Sequence, residues 1–148
     1  MGITAKNFFS VEQQADILKA IQQAELNTSG EIRVHIENKC SGNALARSAY
    51  LFNKLGMTKT AQRNGVLFYL AVEHRKFAVL GDKGIDAVVP ANFWDDVKSI
   101  LQNNFKEGRF TEGLTNAISL AGELLKKHFP HQKDDINELP DDISFGNK

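Results

Sequence analysis

Two short apolar segments separated by four polar residues constrain the fold of this chain more than any other feature. Residues 66–72 are an unbroken apolar run rich in β-branched and aromatic side chains, which is typical of a strand buried on both faces. The polar residues 73–76 have the length of a hairpin loop, and residues 77–80 are predicted to form the returning strand. We therefore expect two antiparallel strands, the second leading into residues 81–86 at the edge of the sheet where the first begins.

The segments before this hairpin predict a helix, a strand and a second helix. Ser10 and Gln13 have the spacing of a capping box at a helix start, and residues 31–38 alternate between apolar and polar side chains as a strand does. Asn43 can cap a helix between this strand and residues 66–72. A strand-helix-strand crossover of this kind makes its two strands parallel.

Apolar residues at helical spacing predict two more helices towards the C-terminus. One runs from Pro90 to a stop at Gly108, and the other starts at Thr111 or Gly113. Four helices suffice to cover both faces of the sheet. The predicted fold is therefore α/β, a three-layer α/β/α sandwich whose mixed central sheet combines the crossover and the hairpin.

The composition divides the chain into a body and a tail. We predict a single domain over residues 1–129 and an acidic, flexible tail over residues 130–148, where aspartate is frequent and apolar residues are few. The apolar residues of the tail leave open that it folds against the body or onto a partner. They are Ile136, Leu139, Ile143 and Phe145.

Charge and length exclude several classes of protein. The 148 residues are 42% apolar with a formal net charge of +0 and no dense basic cluster, so we expect no nucleic-acid partner. No apolar run reaches the roughly 18 residues of a membrane span. Cys40 is the single cysteine and cannot form an internal disulfide. Because no secretion signal is visible, we expect a cytoplasmic protein, or an exported one if a leader was removed.

Motifs for the common nucleotide and catalytic sites are missing from the sequence. There is no phosphate loop ending in Gly-Lys-Ser/Thr, no dinucleotide glycine motif, no Gly-x-Ser-x-Gly elbow and no nucleophile signature around Cys40. The 4 histidines lack zinc spacing, and His35 is expected to be solvated or paired across strands. Whether the chain is an enzyme stays open.

Oxygen ligands at one edge of the sheet are the remaining candidate site. The predicted topology brings four such residues together: Glu31, Asn64, Asp82 and Asp86. Carboxylate and carbonyl oxygens are the ligands of calcium and magnesium, and a divalent cation would relieve repulsion between the carboxylates. The alternative is that Asp82 and Asp86 cap a short helical segment and that Glu31 faces water.

Five short segments, in this order, resemble the TPM domain family. They are Ser-Gly-Glu-Ile at 29–32, Asn-Gly-Val-Leu at 64–67, Glu-His-Arg-Lys at 73–76, Gly-Asp-Lys-Gly-Ile-Asp at 81–86, and Phe-Lys-Glu-Gly-Arg-Phe at 105–110 with Gly113 and Leu114. The resemblance covers the body of the chain. It implies an α/β sandwich and a cation site with Glu31, Asn64, Asp82 and Asp86 as ligands. It also implies calcium binding, and acid phosphatase activity as in one plant branch.

Three functional interpretations follow. The first is a calcium-binding module, with magnesium as the alternative ion, that is at most weakly catalytic and acts through a protein partner. The second is a metal-assisted phosphatase, in which the cation polarises a phosphoryl oxygen and Lys59 or Arg63 binds the phosphate. The third is a structural interaction domain without an ion. Arg75 matches a recurrent basic residue of the family, but the predicted topology places it at the opposite end of the hairpin.

Overall fold

The predicted crossover and hairpin form the centre of the structure, a computed structural model that describes residues 5–131 and 143–146. A four-stranded mixed sheet carries helices on both faces, which confirms the three-layer α/β sandwich. The elements in chain order are α1 (Val11–Glu25), β1 (Glu31–Glu37), α2 (Ala44–Lys54), β2 (Gly65–Ala71), β3 (Lys76–Gly81), α3 (Lys83–Asp86), α4 (Asp95–Lys106), α5 (Phe110–Lys126) and β4 (Ile143–Phe145).

The strand order of the sheet is β3-β2-β1-β4. β1 and β2 pair in parallel with Glu31 opposite Gly65, whereas β2 and β3 pair antiparallel with Val66 opposite Gly81. Every residue of β2 is buried, as expected for a central strand with both faces covered. The sheet therefore has one edge at which β1 and β2 begin and β3 ends.

The two faces of the sheet pack against different helices. Alternate side chains of β1 and β2 join α1, α4 and α5 in the larger core, where Ile17, Phe68 and Ile118 are fully buried. The opposite face is covered by α2, whose Phe52 packs into a smaller core with Leu67. The side chains of each strand divide between the two cores because successive side chains point to opposite faces of the sheet.

Local sequence determines the starts of α1 and α2. Ser10 and Gln13 form the predicted capping box, with hydrogen bonds of 2.9 and 3.1 Å, and the Asn43 side chain accepts the Ala46 N–H at 2.9 Å. The predicted helix start at Pro90 is wrong, since α4 begins at Asp95. The residues between them form turns closed by i to i+3 hydrogen bonds, which place Trp94 in the core.

The C-terminal segment contributes the fourth strand. β4 pairs in parallel with β1, and Ser144 lies opposite His35. The sequence left open that the tail folds against the body, and Ile143–Phe145 does so. Ile136 and Leu139 lie outside the described residues. Among the helices of residues 5–131, none has both the length and the apolar character needed to cross a membrane.

Candidate functional site

Glu31, Asn64 and Asp82 meet at one edge of the sheet, which we call the acidic edge. The Glu31 N–H donates to the Asn64 carbonyl oxygen at 3.3 Å, and the Asp82 N–H donates to the Gly65 carbonyl oxygen at 2.9 Å. All three residues are buried, with exposed fractions of 4%, 2% and 6%. The topology that the sequence predicted for them is confirmed, and Glu31 does not face water.

Asp82 is already engaged by donors on both carboxylate oxygens. The Arg63 Nε donates to Oδ2 at 2.7 Å and Nη2 donates to Oδ1 at 3.0 Å, a bidentate geometry. Oδ1 also accepts the Lys83 N–H at 2.8 Å, so Asp82 caps α3 as the alternative interpretation held. The hydrogen bond with Asp82 raises the pKa of Arg63. Arg63 thus holds the position that a cation would take beside this carboxylate.

The backbone around Arg63 is held in an uncommon conformation. Its backbone φ of 51° lies in the left-handed region, which residues other than glycine rarely adopt. The Arg63 carbonyl oxygen accepts the Gly84 N–H at 2.9 Å, and a Cβ on Gly84 would lie only 2.1 Å from the Gln62 carbonyl oxygen. The close approach at Gly84 therefore fixes this loop against α3.

Asp86 lies at the acidic edge but outside its buried part. Its N–H donates to the Asp82 carbonyl oxygen at 3.2 Å, which places it one helical turn from Asp82, and its side chain is exposed. Within residues 5–131 and 143–146, no three side chains of histidine, cysteine, aspartate or glutamate converge closely enough to hold a metal ion. The edge has oxygen ligands of a suitable type, but they are not arranged as a preformed cage.

A further carboxylate at this edge was missed by sequence reasoning. Glu25, in the last turn of α1, accepts the Ile32 N–H at 2.9 Å through Oε2. This contact places its carboxylate beside the first residues of β1, next to Glu31. The sequence gives no local indication of it, because the contact depends on how α1 returns to the sheet.

The basic residues singled out by the sequence have different surroundings. Lys59 is exposed on the loop that leads to the acidic edge, whereas Arg63 is bound to Asp82. Arg75 lies in the β2–β3 hairpin at the other end of both strands, with a φ of 53°. The expected separation of Arg75 from the acidic edge is confirmed.

Beneath α2 lies a buried polar cluster that sequence reasoning also missed. The carboxylate of Glu37, 1% exposed, accepts a hydrogen bond from Tyr69 Oη at 2.6 Å and two from Arg47, at 3.1 Å from Nε and 2.5 Å from Nη2. Burial raises the pKa of Glu37, but the bonds from Arg47 and Tyr69 outweigh it and the net pKa is lowered. Burial and the bond to Glu37 raise the pKa of Tyr69. Glu37 therefore stays ionised inside the fold.

His35 extends this cluster to the C-terminal strand. Its Nδ1 lies 2.6 Å from Ser144 Oγ, and its Nε2 lies 3.5 Å from Glu37 Oε1. Burial lowers the pKa of His35, although Glu37 opposes the shift. His35 is therefore not solvated but paired across strands, the second of the two expected outcomes.

Comparison with known proteins decides the family. The profile of the TPM domain matches residues 3–124, most of the chain. The chain belongs to the TPM domain family. The solved structure of the BA42 protein from the psychrophilic bacterium Bizionia argentinensis is 47% identical, with a TM-score of 0.89 over 94% of this chain and 96% of that one.

More distant structures share the fold of this TPM domain. The N-terminal domain of a P. gingivalis protein is 16% identical, with a TM-score of 0.66 over 84% of this chain and 82% of that one. The N-terminal domain of a Corynebacterium glutamicum protein is 12% identical, with a TM-score of 0.62 over 93% and 80%. A search of curated proteins gave no match.

Proposed function

We propose that this TPM domain is a calcium-binding module, with magnesium as the alternative ion, that is at most weakly catalytic and acts through a protein partner. The observation that carries the proposal is the meeting of Glu31, Asn64 and Asp82, from three separate segments, at the acidic edge. Carboxylate and amide oxygens are hard ligands of the kind that calcium takes.

Binding at this edge requires a local rearrangement. Arg63 occupies both oxygens of Asp82, so a cation that coordinates Asp82 must displace at least one of its hydrogen bonds. Asp86 is exposed one turn away and is free of the constraint of burial. Because the ligands are few and not preassembled, we expect a modest dissociation constant of about 10⁻⁵ to 10⁻³ M.

The rearrangement also offers a way to signal to a protein partner. A divalent cation would replace the guanidinium at Asp82, and Arg63, with 34% of its side chain exposed, would turn towards solvent. The surface beside α3 would then present a new positive charge only in the ion-bound state. A partner with an acidic surface would distinguish the two states through this charge.

The same exchange supports a second candidate, a metal-assisted phosphatase. Arg63 released beside a bound cation would be placed to bind a phosphate, with the exposed Lys59 on the same loop. The sequence carries no Gly-x-Ser-x-Gly elbow and no nucleophile signature around Cys40 that would favour covalent catalysis. Turnover of a phosphomonoester above background, abolished by Asp82→Asn, would favour this candidate. A rate unchanged in that variant would identify the activity as a contaminant.

Calorimetric titration with calcium tests the leading proposal. We would compare the wild type with the double variant Asp82→Asn, Asp86→Asn, since asparagine also caps helices and preserves the start of α3. The matched control for loss of two negative charges is Asp16→Asn with Glu123→Gln, which are exposed changes on α1 and α5. We expect heat of binding in the wild type and control and its loss in the double variant. Equal heats from the wild type and the double variant would end the proposal.

A further inference from the structure

A serine, a histidine and a glutamate meet where β4 joins the sheet, on the face of β1 turned away from the larger core. Ser144 Oγ lies 2.6 Å from Nδ1 of His35, and Nε2 of the same ring lies 3.5 Å from Glu37 Oε1. A hydroxyl beside one ring nitrogen, with a carboxylate at the other, is the arrangement of an activated nucleophile. Geometry identifies it rather than a motif, because Ser144 and His35 are 109 positions apart.

The surroundings of the histidine ring determine which nitrogen carries its hydrogen. Two bonds from Arg47 and one from Tyr69 keep the Glu37 carboxylate ionised. An ionised carboxylate only accepts hydrogen bonds, so the neutral ring presents Nε2–H to it. Nδ1 is then an acceptor for the Ser144 hydroxyl. The other described acceptor near this hydroxyl, the Val34 carbonyl oxygen, is farther away at 3.4 Å. The serine proton therefore points at a base.

The groups that face His35 keep its ring neutral at neutral pH. Burial holds the pKa of His35 below the ordinary value of 6.5, Glu37 opposes this, and Arg47 and Arg33 reinforce it. Tyr69, whose ring stacks on His35 with centroids 6.3 Å apart, stays uncharged because burial and its bond to Glu37 raise its pKa. A general base must be unprotonated to accept a proton, so His35 is in the reactive form.

The nucleophile reaches the surface although the base does not. β4 is the outermost strand, and Ser144 is half-buried whereas His35 is 4% exposed. The Gly146 N–H donates to the Ile36 carbonyl oxygen at 2.8 Å. Because alternate residues of a strand face its neighbour, the Phe145 N–H points away from β1, and it has no acceptor among the described residues. The N–H after the nucleophile is an oxyanion donor in α/β-hydrolases.

We propose that Ser144 is the nucleophile of a hydrolase site that cleaves small carboxylic esters. Ser144 Oγ attacks the ester carbonyl carbon, and its hydroxyl proton passes to Nδ1 of His35. The tetrahedral intermediate then expels the alkoxide, which takes this proton and leaves as the alcohol, so that Ser144 is acylated. Water attacks the acyl carbon and gives a proton to Nδ1. Oγ leaves with that proton, and the carboxylic acid is released.

The other residues of the site act on charge and orientation. Glu37 is a positioning residue that orients the ring and stabilises its protonated form. The Phe145 N–H donates to the developing oxyanion. Arg33, two positions before His35 on the same face, adds positive charge, and its buried Nε has no hydrogen-bond partner in the described part of the chain. Ser144 lies beyond residues 3–124, so membership of the family does not imply this site, and it does not depend on the calcium site.

A fluorophosphonate probe and p-nitrophenyl acetate test the nucleophile in the full chain. Attack of Ser144 Oγ on the phosphorus displaces fluoride and leaves a stable adduct, which peptide mass spectrometry locates. We expect an adduct at Ser144 and, in Ser144→Ala, its loss with hydrolysis at least about tenfold slower. Ser99→Ala, a change at an exposed serine of α4, should keep both the adduct and the rate. An unlabelled Ser144, or an unchanged rate in Ser144→Ala, would overturn the proposal.

The pH dependence of hydrolysis separates the base from a structural role. The rate should rise with pH through the folded-state pKa of His35, below 6.5, and then level off. His35→Gln should lose both the adduct and the rate, although Ser144 is still present. In Glu37→Gln the midpoint should move to lower pH, because Glu37 raises the pKa of His35. Dispersed amide spectra verify that each variant is folded. Labelling of Ser144 in His35→Gln at the wild-type rate would refute the base, and an unmoved midpoint would refute the role of Glu37.

Discussion

Arg63 and Asp82 form a bidentate ion pair at the edge of the sheet where the candidate cation ligands meet. The two bonds measure 2.7 and 3.0 Å, and the Asp82 side chain is 6% exposed while the Arg63 side chain is partly open to solvent. The pair gives the buried carboxylate a counter-charge in the absence of an ion. It also makes Arg63 a competitor for any cation that binds there.

Removing this competitor is expected to strengthen calcium binding. In Arg63→Gln the cation no longer has to displace a guanidinium, and because the ion pair is partly exposed and screened by solvent, affinity should rise only about two- to fivefold. Calorimetry measures the change, with Arg109→Gln, an exposed arginine far along the chain in the α4–α5 connection, as control. Weaker binding in Arg63→Gln would contradict the competitor role and would favour a role for Arg63 in the bound state.

Gly84→Ala is expected to destabilise the protein by about 1–3 kcal/mol. The new Cβ would lie 2.1 Å from the Gln62 carbonyl oxygen and 2.6 Å from the Arg63 carbonyl oxygen, and neither backbone atom can move without disturbing the loop. Urea unfolding measures the loss. Gly42→Ala is the matched control, since nothing lies within 4 Å of its Cβ position, and it should change stability by less than about 0.5 kcal/mol. Similar losses in both variants would mean that the contact at Gly84 is not tight.

Tyr69→Phe is expected to cost about 1.5–3 kcal/mol because it removes a hydrogen bond to the buried, ionised Glu37. The volume of the side chain hardly changes, so the effect isolates the hydroxyl. Tyr50→Phe makes the same change at a residue that is 56% exposed and should be close to neutral. Thermal and urea unfolding of the two variants give the comparison. If Tyr69→Phe leaves the stability unchanged, the hydrogen bonds from Arg47 alone are enough to stabilise the buried carboxylate of Glu37.

The pH dependence of stability should reflect His35. Burial holds its pKa in the folded state below the ordinary value of 6.5, Glu37 opposes this, and Arg47 and Arg33 reinforce it. The unfolded chain therefore binds a proton near pH 6.5 that the folded protein does not. Stability from neutral His35 is fully present above that pH and is lost as the pH falls through the folded-state pKa.

Urea unfolding between about pH 7.5 and 5 tests this dependence. We expect the free energy of unfolding to fall with pH below 6.5 in the wild type and to fall less steeply in His35→Gln. The slope is compared, not the absolute stability, because the substitution also changes packing. His128→Gln, at an exposed position, should keep the wild-type slope. The pKa of Glu37 is also lowered in the folded state, so Glu37 adds to this loss of stability only below pH 4.5, its ordinary pKa. Equal slopes in the wild type and His35→Gln would exclude His35 as the cause.

Most of the fold followed from the sequence because its signals are local. The apolar run of β2, the hairpin length and the caps at Ser10 and Asn43 each involve residues within a few positions of one another. The handedness and direction of a crossover then left few topologies, and these brought Glu31, Asn64 and Asp82 to one edge. Within the described residues, both pairings that the sequence predicted, parallel for β1 with β2 and antiparallel for β2 with β3, are observed, and the pairing of β4 with β1 is an addition that it did not predict.

Which polar groups are buried, and what they are paired with, was decided only by the tertiary structure. Arg63 binds Asp82 across 19 positions, Tyr69 reaches Glu37 across 32, and Ser144 meets His35 across 109. No local pattern encodes such pairs, because they form only after helices and strands have packed. A buried charge must find a partner wherever packing places one, since burial without a partner is too unfavourable to persist.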